Sequence, residues 1–373
     1  MFDWPGRKAS GPVSPARFPA MLLGVEDAEP PRGYTARARE AMERNPVASR
    51  AVRLLAEAAG SAPLTIAGGD GVAALLARPN ERLSGAAMME RLAAHLLLHG
   101  NAYVNAALDG GGRPAELHVL APDRVRIETD ASGWPCGFLY RGGAAEVPLP
   151  AGGEEGPGVL HIRTLSPLDD LYGLGALDAA AGAIAAHNEA ARWNRALLKN
   201  AARPSGALMF DSGDGSALST EQFARLRSEM EEGFSGAARA GRPLLLEGGL
   251  TWQPLSLSPA DMDFAEGQRT AARDIALALG VPPMLLGLPG DNTYSNYAEA
   301  NRALWRLSVL PMAGRICEAL TGWLQGWWPD ARVSVDLDKV PALAADRALM
   351  WERVSKADFL TPEEKKRVLG LAE

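Results

Sequence analysis

Two long helical stretches that bracket a short, glycine-rich insertion constrain the fold of this chain more than any other feature. The first is predicted over 176–200, roughly 37 Å at 1.5 Å per residue, and Pro204 with Gly206 ends it. The second begins at Ser258, with Pro259 at the first helical position, and stops at Gly280. The insertion between them is predicted to hold short strands and one helix. Two helices so arranged can form a stalk from which the insertion projects.

The remainder of the chain alternates helical periodicity with short apolar runs, which predicts an α+β fold. Pro311 is expected to kink the longest of the other helices. The further predicted helices cover 45–60, 85–99, 219–233, 297–325, 341–355 and 362–370. The predicted strands cover 63–66, 102–108, 116–120, 125–129, 137–141, 159–163, 208–210, 243–247, 250–253 and 333–337.

The ends of the chain and its charge exclude several classes of protein. Residues 1–33 lack hydrophobic periodicity and are predicted to be a flexible arm without a signal peptide, and no run of 18 apolar residues predicts a membrane span. The formal net charge of −7 argues against a basic nucleic-acid grip over the whole surface. The two cysteines, Cys136 and Cys317, lack zinc-ligand spacing and are predicted to be buried, reduced thiols.

No motif predicts catalysis or a cofactor. Walker-A, G-x-S-x-G and H-E-x-x-H patterns are absent. Gly173–Gly175 begins like a dinucleotide fingerprint, but Asp178 occupies the place of the third glycine, which favours a flexible lead into a helix. His95 and His99 have a spacing that can bind metal, yet they lack an acidic or cysteine partner nearby in sequence, so a place in the core or at a helix edge is favoured.

Two other groups have both a functional and a structural interpretation. Asp169–Asp170 and the pair Asp261 and Asp263 could hold a divalent ion, but acids beside predicted helices more often favour the helix N-terminus. Trp327–Trp328 with Trp323 could stack on nucleic-acid bases, although core packing is more typical of tryptophans near a helix end.

Basic residues cluster locally along and after the first long helix. Spacings of three and four residues place Arg192, Arg195, Lys199 and Arg203 on one helical face, and four more arginines follow in the insertion. Such a face is either solvated or turned towards phosphates or an acidic partner. The candidate residues for a channel wall or a contact between subunits are Arg192, Arg195, Lys199, Arg203, Arg225, Arg227, Arg239 and Arg242.

The order of short motifs over about residues 30–340 resembles the portal proteins of tailed bacteriophages and of phage-derived gene transfer agents. The stretches that carry the resemblance are Asn45–Arg50, His99–Tyr103, Leu117–Asp123, Pro167 with Tyr172–Gly175, Asn200–Gly206, Leu244–Gly248 and Glu266–Gly287. The resemblance implies an elongated subunit in a ring, typically a dodecamer, that conducts double-stranded DNA through one capsid vertex of a virion or phage-like particle assembled in the bacterial cytoplasm. It implies no enzyme activity, cofactor, metal or membrane.

The resemblance also implies the organisation of the subunit. It consists of the arm 1–33, an α+β wing at 34–170, stem helices at 171–203 and 258–283 around a small β-rich clip at 204–257, a tunnel loop at 284–296, a kinked helix returning to the wing at 297–338 and a short helical crown at 339–373. The tunnel loop would point at the DNA with the uncharged residues Asn292, Thr293, Tyr294, Ser295 and Asn296.

The implied partners are the terminase large subunit and then a head–tail connector protein at the clip, the major capsid protein at the wing, and double-stranded DNA bound without sequence preference. A soluble α+β enzyme that depends on a metal or nucleotide and a monomeric interaction protein are the alternatives. A ring with a central pore would separate the portal interpretation from both.

Overall fold

Helices and antiparallel strands alternate along the chain, which confirms the predicted α+β class. The computed structural model describes residues 33–143, 145–150, 152, 157–199, 206–210, 219, 221–222, 224–225, 228, 250–254, 264–289 and 294–370. The helices are α1 (Tyr34–Met42), α2 (Pro46–Gly60), α3 (Asp70–Ala77), α4 (Gly85–His99), α5 (Ala176–Lys199), α6 (Phe264–Ala278), α7 (Tyr294–Leu304), α8 (Leu310–Leu324), α9 (Ala344–Ser355) and α10 (Pro362–Val368). The strands are β1 (Leu64–Ala67), β2 (Asn101–Leu108), β3 (Pro114–Leu120), β4 (Val125–Thr129), β5 (Pro135–Arg141), β6 (Glu146–Pro150), β7 (Leu160–Arg163), β8 (Gly206–Phe210), β9 (Leu250–Pro254) and β10 (Arg332–Val335).

Side-chain caps fix the starts of the helices that the sequence predicted best. The Asn45 side chain accepts a hydrogen bond from the Ala48 amide at the start of α2, and Ser84 does the same at α4. Capping boxes form at Ser219–Gln222 and at Thr361–Glu364. These local bonds satisfy amides that the first turn of a helix leaves without partners, which is why the sequence alone marks them.

The strands form four small sheets whose pairings are all antiparallel among the described residues. β2 and β3, both predicted as strands, form a hairpin, and β7 pairs with the other edge of β2. β1 pairs with the distant β10, so the last part of the chain returns to the first. β9 pairs with β8, and the predicted strand 243–247 lies outside the described residues.

Most buried side chains belong to one large core formed by α2, α4, α5, α6 and α8 with one face of the β3–β2–β7 sheet. A smaller cluster around Tyr103 and Phe138 lies against the β4–β5–β6 sheet. Trp323 belongs to the large core, where its indole donates to the carbonyl of Gly158 and meets Trp327 edge-on at 5.2 Å. Packing in the core is therefore confirmed for Trp323.

Just before Pro311, where a kink was predicted, the structure has a π-helical turn. Residues 294–324 are helical throughout, and the turn Trp305–Val309 separates α7 from α8. Pro311 has no amide hydrogen to donate to the carbonyl of Leu307, four residues earlier, so regular hydrogen bonding stops there.

Several sequence predictions were incomplete or wrong. α1, α3 and β6 were not predicted, because they are short and neither α1 nor α3 has a side-chain cap. Cys317 is buried as predicted, but Cys136 is exposed because β5 begins beyond the edge of the smaller core. No helix among the described residues is long and apolar enough to cross a membrane.

Candidate nucleic-acid interface

The predicted pair of long helices is present as α5 and α6, and the two helices pack against each other. The start of α5 and the end of α6 line one groove, so the helices run in opposite directions. Half of their buried residues are alanines, and the larger apolar ones are Leu177 and Ile184 on α5 and Ile275 on α6. Small side chains allow the two helices to approach closely.

A buried polar network fixes α5 to the junction of α1 and α2. The Asn45 side-chain amide donates to Asn188 Oδ1 at 3.0 Å and to His187 Nδ1 at 3.3 Å, and Asn188 donates to the Glu40 carboxylate at 3.0 Å. Since Asn45 also caps α2, one side chain sets the position of two helices. Burial lowers the pKa of His187, which keeps the imidazole neutral and able to accept this bond.

The first turn of α5 carries a second link to α1. Asp178 lies there and forms an ion pair with Arg37 at 2.5 Å. A carboxylate at this place also interacts favourably with the positive end of the helix dipole. The base of α5 is therefore fixed by a charge pair and a hydrogen-bond network.

The candidate basic residues divide into those that the structure describes and those that lie outside it. Arg192 and Arg195 project from exposed positions of α5, and Arg192 pairs with Glu189 at 2.6 Å. Lys199 is the last residue of α5, so the spacing places it on the face of Arg192 and Arg195. Arg225 is exposed and helical. The residues outside the described part are Arg203, Arg227, Arg239 and Arg242.

The segment expected to be the tunnel loop, 284–296, ends in a helix, because α7 begins at Tyr294. Tyr294, Ser295 and Asn296 lie in the first turn of α7, so their assignment to a loop was wrong. None of the three is glycine or proline, and nothing in them prevents the helix from extending back to this point. Asn292 and Thr293 lie outside the described residues.

The described start of the loop is held by a contact that sequence reasoning missed. Pro283–Leu286 form a 3₁₀ turn, and Gly287 ends it with a φ of 72°. The Arg273 guanidinium on the exposed face of α6 then donates to the carbonyl of Pro289 at 3.1 Å. The only sequence signal for Arg273 is its place on the polar face of a predicted helix.

Several charges on this part of the surface are neutralised by neighbours one helical turn away. Glu266 pairs with Arg269 on α6 at 2.8 Å, and Glu299 pairs with Arg302 on α7 at the same distance. With the Glu189–Arg192 pair on α5, each of the three helices carries one such ion pair among its described side chains. This surface can meet a polyanion without a continuous strip of unpaired positive charge.

The comparisons with known proteins identify the family. The family profile described as "Phage portal protein" matches residues 46–370. The chain belongs to the phage portal protein family. This family match extends from α2 to the C-terminal helix α10, beyond the stretch in which the sequence motifs were recognised. Members of the portal family are in general structural proteins rather than enzymes.

Individual relatives of this portal family member cover nearly the whole chain. An uncharacterised protein of Rickettsia bellii is 37% identical over 346 residues, or 89% of this chain and 88% of its own. A chain in the virion of a native gene transfer agent particle is 46% identical with a TM-score of 0.71, covering 94% and 97% of the two chains. A chain in the neck of that kind of particle, computed with C12 symmetry, is 47% identical with a TM-score of 0.71, covering 91% and 94%.

The histidines of this family member have structural surroundings. Asn101 accepts from His161 Nε2 at 3.0 Å and from the Gly173 amide at 2.8 Å, and its side-chain amide donates to His99 Nδ1 at 3.1 Å. Burial, with the nearby Arg163 and His99, lowers the pKa of His161 to about 4. Burial likewise lowers the pKa of His95 to about 4, which agrees with its predicted place at the core.

The remaining motif candidates also serve structure among the described residues. An added Cβ at Gly173 would lie 2.2 Å from the carbonyl oxygen of Gly100, so this glycine permits close backbone packing ahead of α5 rather than flexibility. Asp169 accepts from the amides of Leu171 and Tyr172 in a turn before α5, not at the helix itself. The described residues contain no group of three potential metal ligands, and Asp261 and Asp263 lie outside them.

Proposed function

We propose that this chain forms a ring of twelve subunits at one capsid vertex and that double-stranded DNA passes through the ring during packaging and ejection. The observation that carries the proposal is the 47% identity, over 91% of this chain, with a chain of a gene transfer agent neck computed with C12 symmetry. Identity at this level over nearly the full length favours the same assembly, because the matched region includes the residues that would form the contacts between subunits.

In the proposed subunit, the α5–α6 pair is the stem, and the tunnel loop at 284–293 lies beside the DNA together with the first turn of α7. The uncharged side chains of Asn292, Thr293, Tyr294, Ser295 and Asn296 would touch the duplex without binding it tightly. The short ion pairs on α5, α6 and α7 support this, since a wall of unpaired cations would hold the phosphates and slow translocation. The net charge of −7 is consistent with a conduit rather than a tight binder.

The other proposed regions supply docking surfaces. The clip, 204–257, contains the β8–β9 ribbon and would receive the terminase large subunit during filling and a head–tail connector protein afterwards. The wing, 34–170, would contact the major capsid protein. The segment 339–373, with α9 and α10, would form a short crown.

Imaging of the purified full-length chain tests the ring. We expect negative-stain particles with a central pore and a mass near twelve times the subunit mass of 39.4 kDa. A stable monomer, both alone and after mixing with its capsid protein, would contradict the proposal.

Variants of the tunnel loop test the passage of DNA. We expect simultaneous replacement of Asn292, Thr293 and Asn296 by aspartate to reduce the DNA content of assembled particles, because the added carboxylates would repel the phosphates of the duplex. Replacement of the same residues by serine is the matched control and should leave DNA content near the parent value. Normal DNA content in the aspartate variant, with rings intact, would show that this loop does not face the DNA.

A further inference from the structure

An apolar groove of about 470 Å³ opens where the start of α5 meets the end of α6, beside α2, α4 and α8. Its floor includes the buried side chains of Leu55, Leu96 and Leu279. At its rim, Leu277 is 79% exposed. No described residue covers this surface. It therefore offers apolar area to another chain.

The groove has a single cationic side chain at its rim, Arg315 of α8. Arg315 is exposed and forms no ion pair with any residue in the described part of the chain. The nearby Ser308 hydroxyl is already used, since it donates to the carbonyl of Gly280 at 2.6 Å. An occupant with apolar side chains and one acidic group would match these features.

The same subunit carries a surface with the complementary chemistry. In the loop 165–170, the side chains of Leu165 and Leu168 are 81% and 91% exposed. Asp170 follows them, and its exposed carboxylate has no ion-pair partner among the described residues. The loop therefore presents two leucines and one unpaired acid.

Hydrogen bonds keep this loop away from its own groove. The Thr164 hydroxyl donates to the carbonyl of Leu174 at 2.7 Å, which closes the base of the loop. The Asp169 carboxylate accepts from the amides of Leu171 and Tyr172, and the Arg163 guanidinium donates to the carbonyl of Asp170. Because both ends are fixed, the leucines project outwards instead of folding back.

We propose that the loop 165–170 of one subunit inserts into the apolar groove of the adjacent copy, with Leu165 and Leu168 against its floor and Asp170 facing Arg315. The inference rests on the proposed ring. A ring closed by rotation alone requires each complementary pair of surfaces to lie at the same height along the axis. Thr164 and Leu174 flank the loop and also line the groove, so both surfaces lie in the same part of the subunit.

Cysteine cross-linking tests the contact in the ring fraction of the full-length chain. Leu168→Cys and Leu277→Cys are combined in a Cys136→Ser background, which removes the exposed native thiol. We expect oxidation to give a ladder of linked subunits on a non-reducing gel, whereas either cysteine alone gives monomers. Rings that yield no ladder, or only a link within one subunit, would overturn the inference.

Charge reversal tests the ion pair independently. We expect Arg315→Asp and Asp170→Arg each to reduce the ring fraction at least fivefold, and the double variant to restore most of it. Arg141→Asp, at another exposed arginine, is the matched control and should leave the ring fraction unchanged. Rings that persist in both single variants would contradict the inference alone, whereas a parent chain that forms no ring would contradict the proposed function.

Discussion

The helical segment 294–324 has two halves that are held in different ways. In α8, one face is fully enclosed by the large core, whereas Leu304 is the only buried residue of α7 among those whose side chains are described. α7 is attached through charges, since Arg302 and the neighbouring Arg306 both pair with Asp346 of α9. The buried residues of α8 are Ala313, Ile316, Cys317, Leu320, Trp323 and Leu324.

This difference shows how one continuous helix can be rigid at one end and adjustable at the other. Apolar burial is strong and insensitive to salt, while half-exposed ion pairs contribute little and are screened. The π-helical turn Trp305–Val309 lies where the two kinds of attachment meet. In the proposed portal, the adjustable half is the one that leads directly from the tunnel loop.

The largest expected effect comes from a cavity in the buried half. Leu320→Ala removes a fully buried side chain of α8 and should reduce the free energy of unfolding by about 2–5 kcal/mol. Urea denaturation of the full-length chain measures this. Tyr297→Ala in α7, where the side chain is 55% exposed, is the matched control and should change stability by less than about 0.5 kcal/mol. Equal losses in the two variants would refute the contrast between the halves.

Lowering the pH should reduce the stability of the core through His95. Because burial lowers the pKa of His95 to about 4 from the usual 6.5, the unfolded chain binds a proton more readily than the folded chain. The stability is therefore complete above about pH 6.5 and decreases as the pH falls towards 4, by on the order of 1 kcal/mol at pH 5.5.

Urea denaturation between pH 7.5 and 5 measures the effect of His95. We expect His95→Gln to reduce the slope of stability against pH. If His95→Gln has the same slope of stability against pH as the parent chain, this histidine does not remain neutral in the folded chain.

The hydrogen bond from Ser308 to Gly280 ties the π-helical turn to the end of α6, and its loss should cost about 1 kcal/mol. Ser308→Ala is expected to raise amide hydrogen exchange in the turn Trp305–Val309 while α8 stays protected. Leu307→Ala, next to it and 77% exposed, is the control. If exchange in the turn is unchanged in Ser308→Ala, the turn is held by its own helical bonds.

The smallest expected effect concerns the charges of the adjustable half. Asp346→Asn removes the shared partner of Arg302 and Arg306 and should reduce stability by about 0.5–1 kcal/mol at low salt. The difference should nearly vanish at about 1 M salt, where charges are screened within roughly 3 Å. Glu299→Gln, which loses only an exposed pair within α7, should cost about half as much. A loss that persists at high salt would indicate packing rather than charge.

Local signals account for the parts of the fold that the sequence predicted. Asn45, Ser84 and Thr361 form the caps that mark helix starts, and Gly100 ends α4 with a φ of 79°. The pairing of β1 with β10 could not be predicted, since strands so far apart in sequence are matched only by the complete core. The exposure of Cys136 depends likewise on where the smaller core ends.

The site was predicted less completely than the fold. Helical spacing correctly placed Arg192 and Arg195 on one exposed face of α5. It could not show that Arg192 is neutralised by Glu189, or that Arg273 binds the carbonyl of Pro289, because both depend on rotamers and on the path of a loop. The groove beside Arg315 could not be predicted from the sequence, because residues of five helices line it.

Because the two cysteines have different surroundings, a thiol-reactive dye can be used to count the subunits of an assembly. Burial raises the pKa of the Cys317 thiol to about 11, so little of the reactive thiolate forms at neutral pH, whereas Cys136 is open to solvent. A maleimide dye would therefore label each subunit once, at the start of β5. In a single fluorescent particle, the number of photobleaching steps would then report directly how many subunits the particle contains.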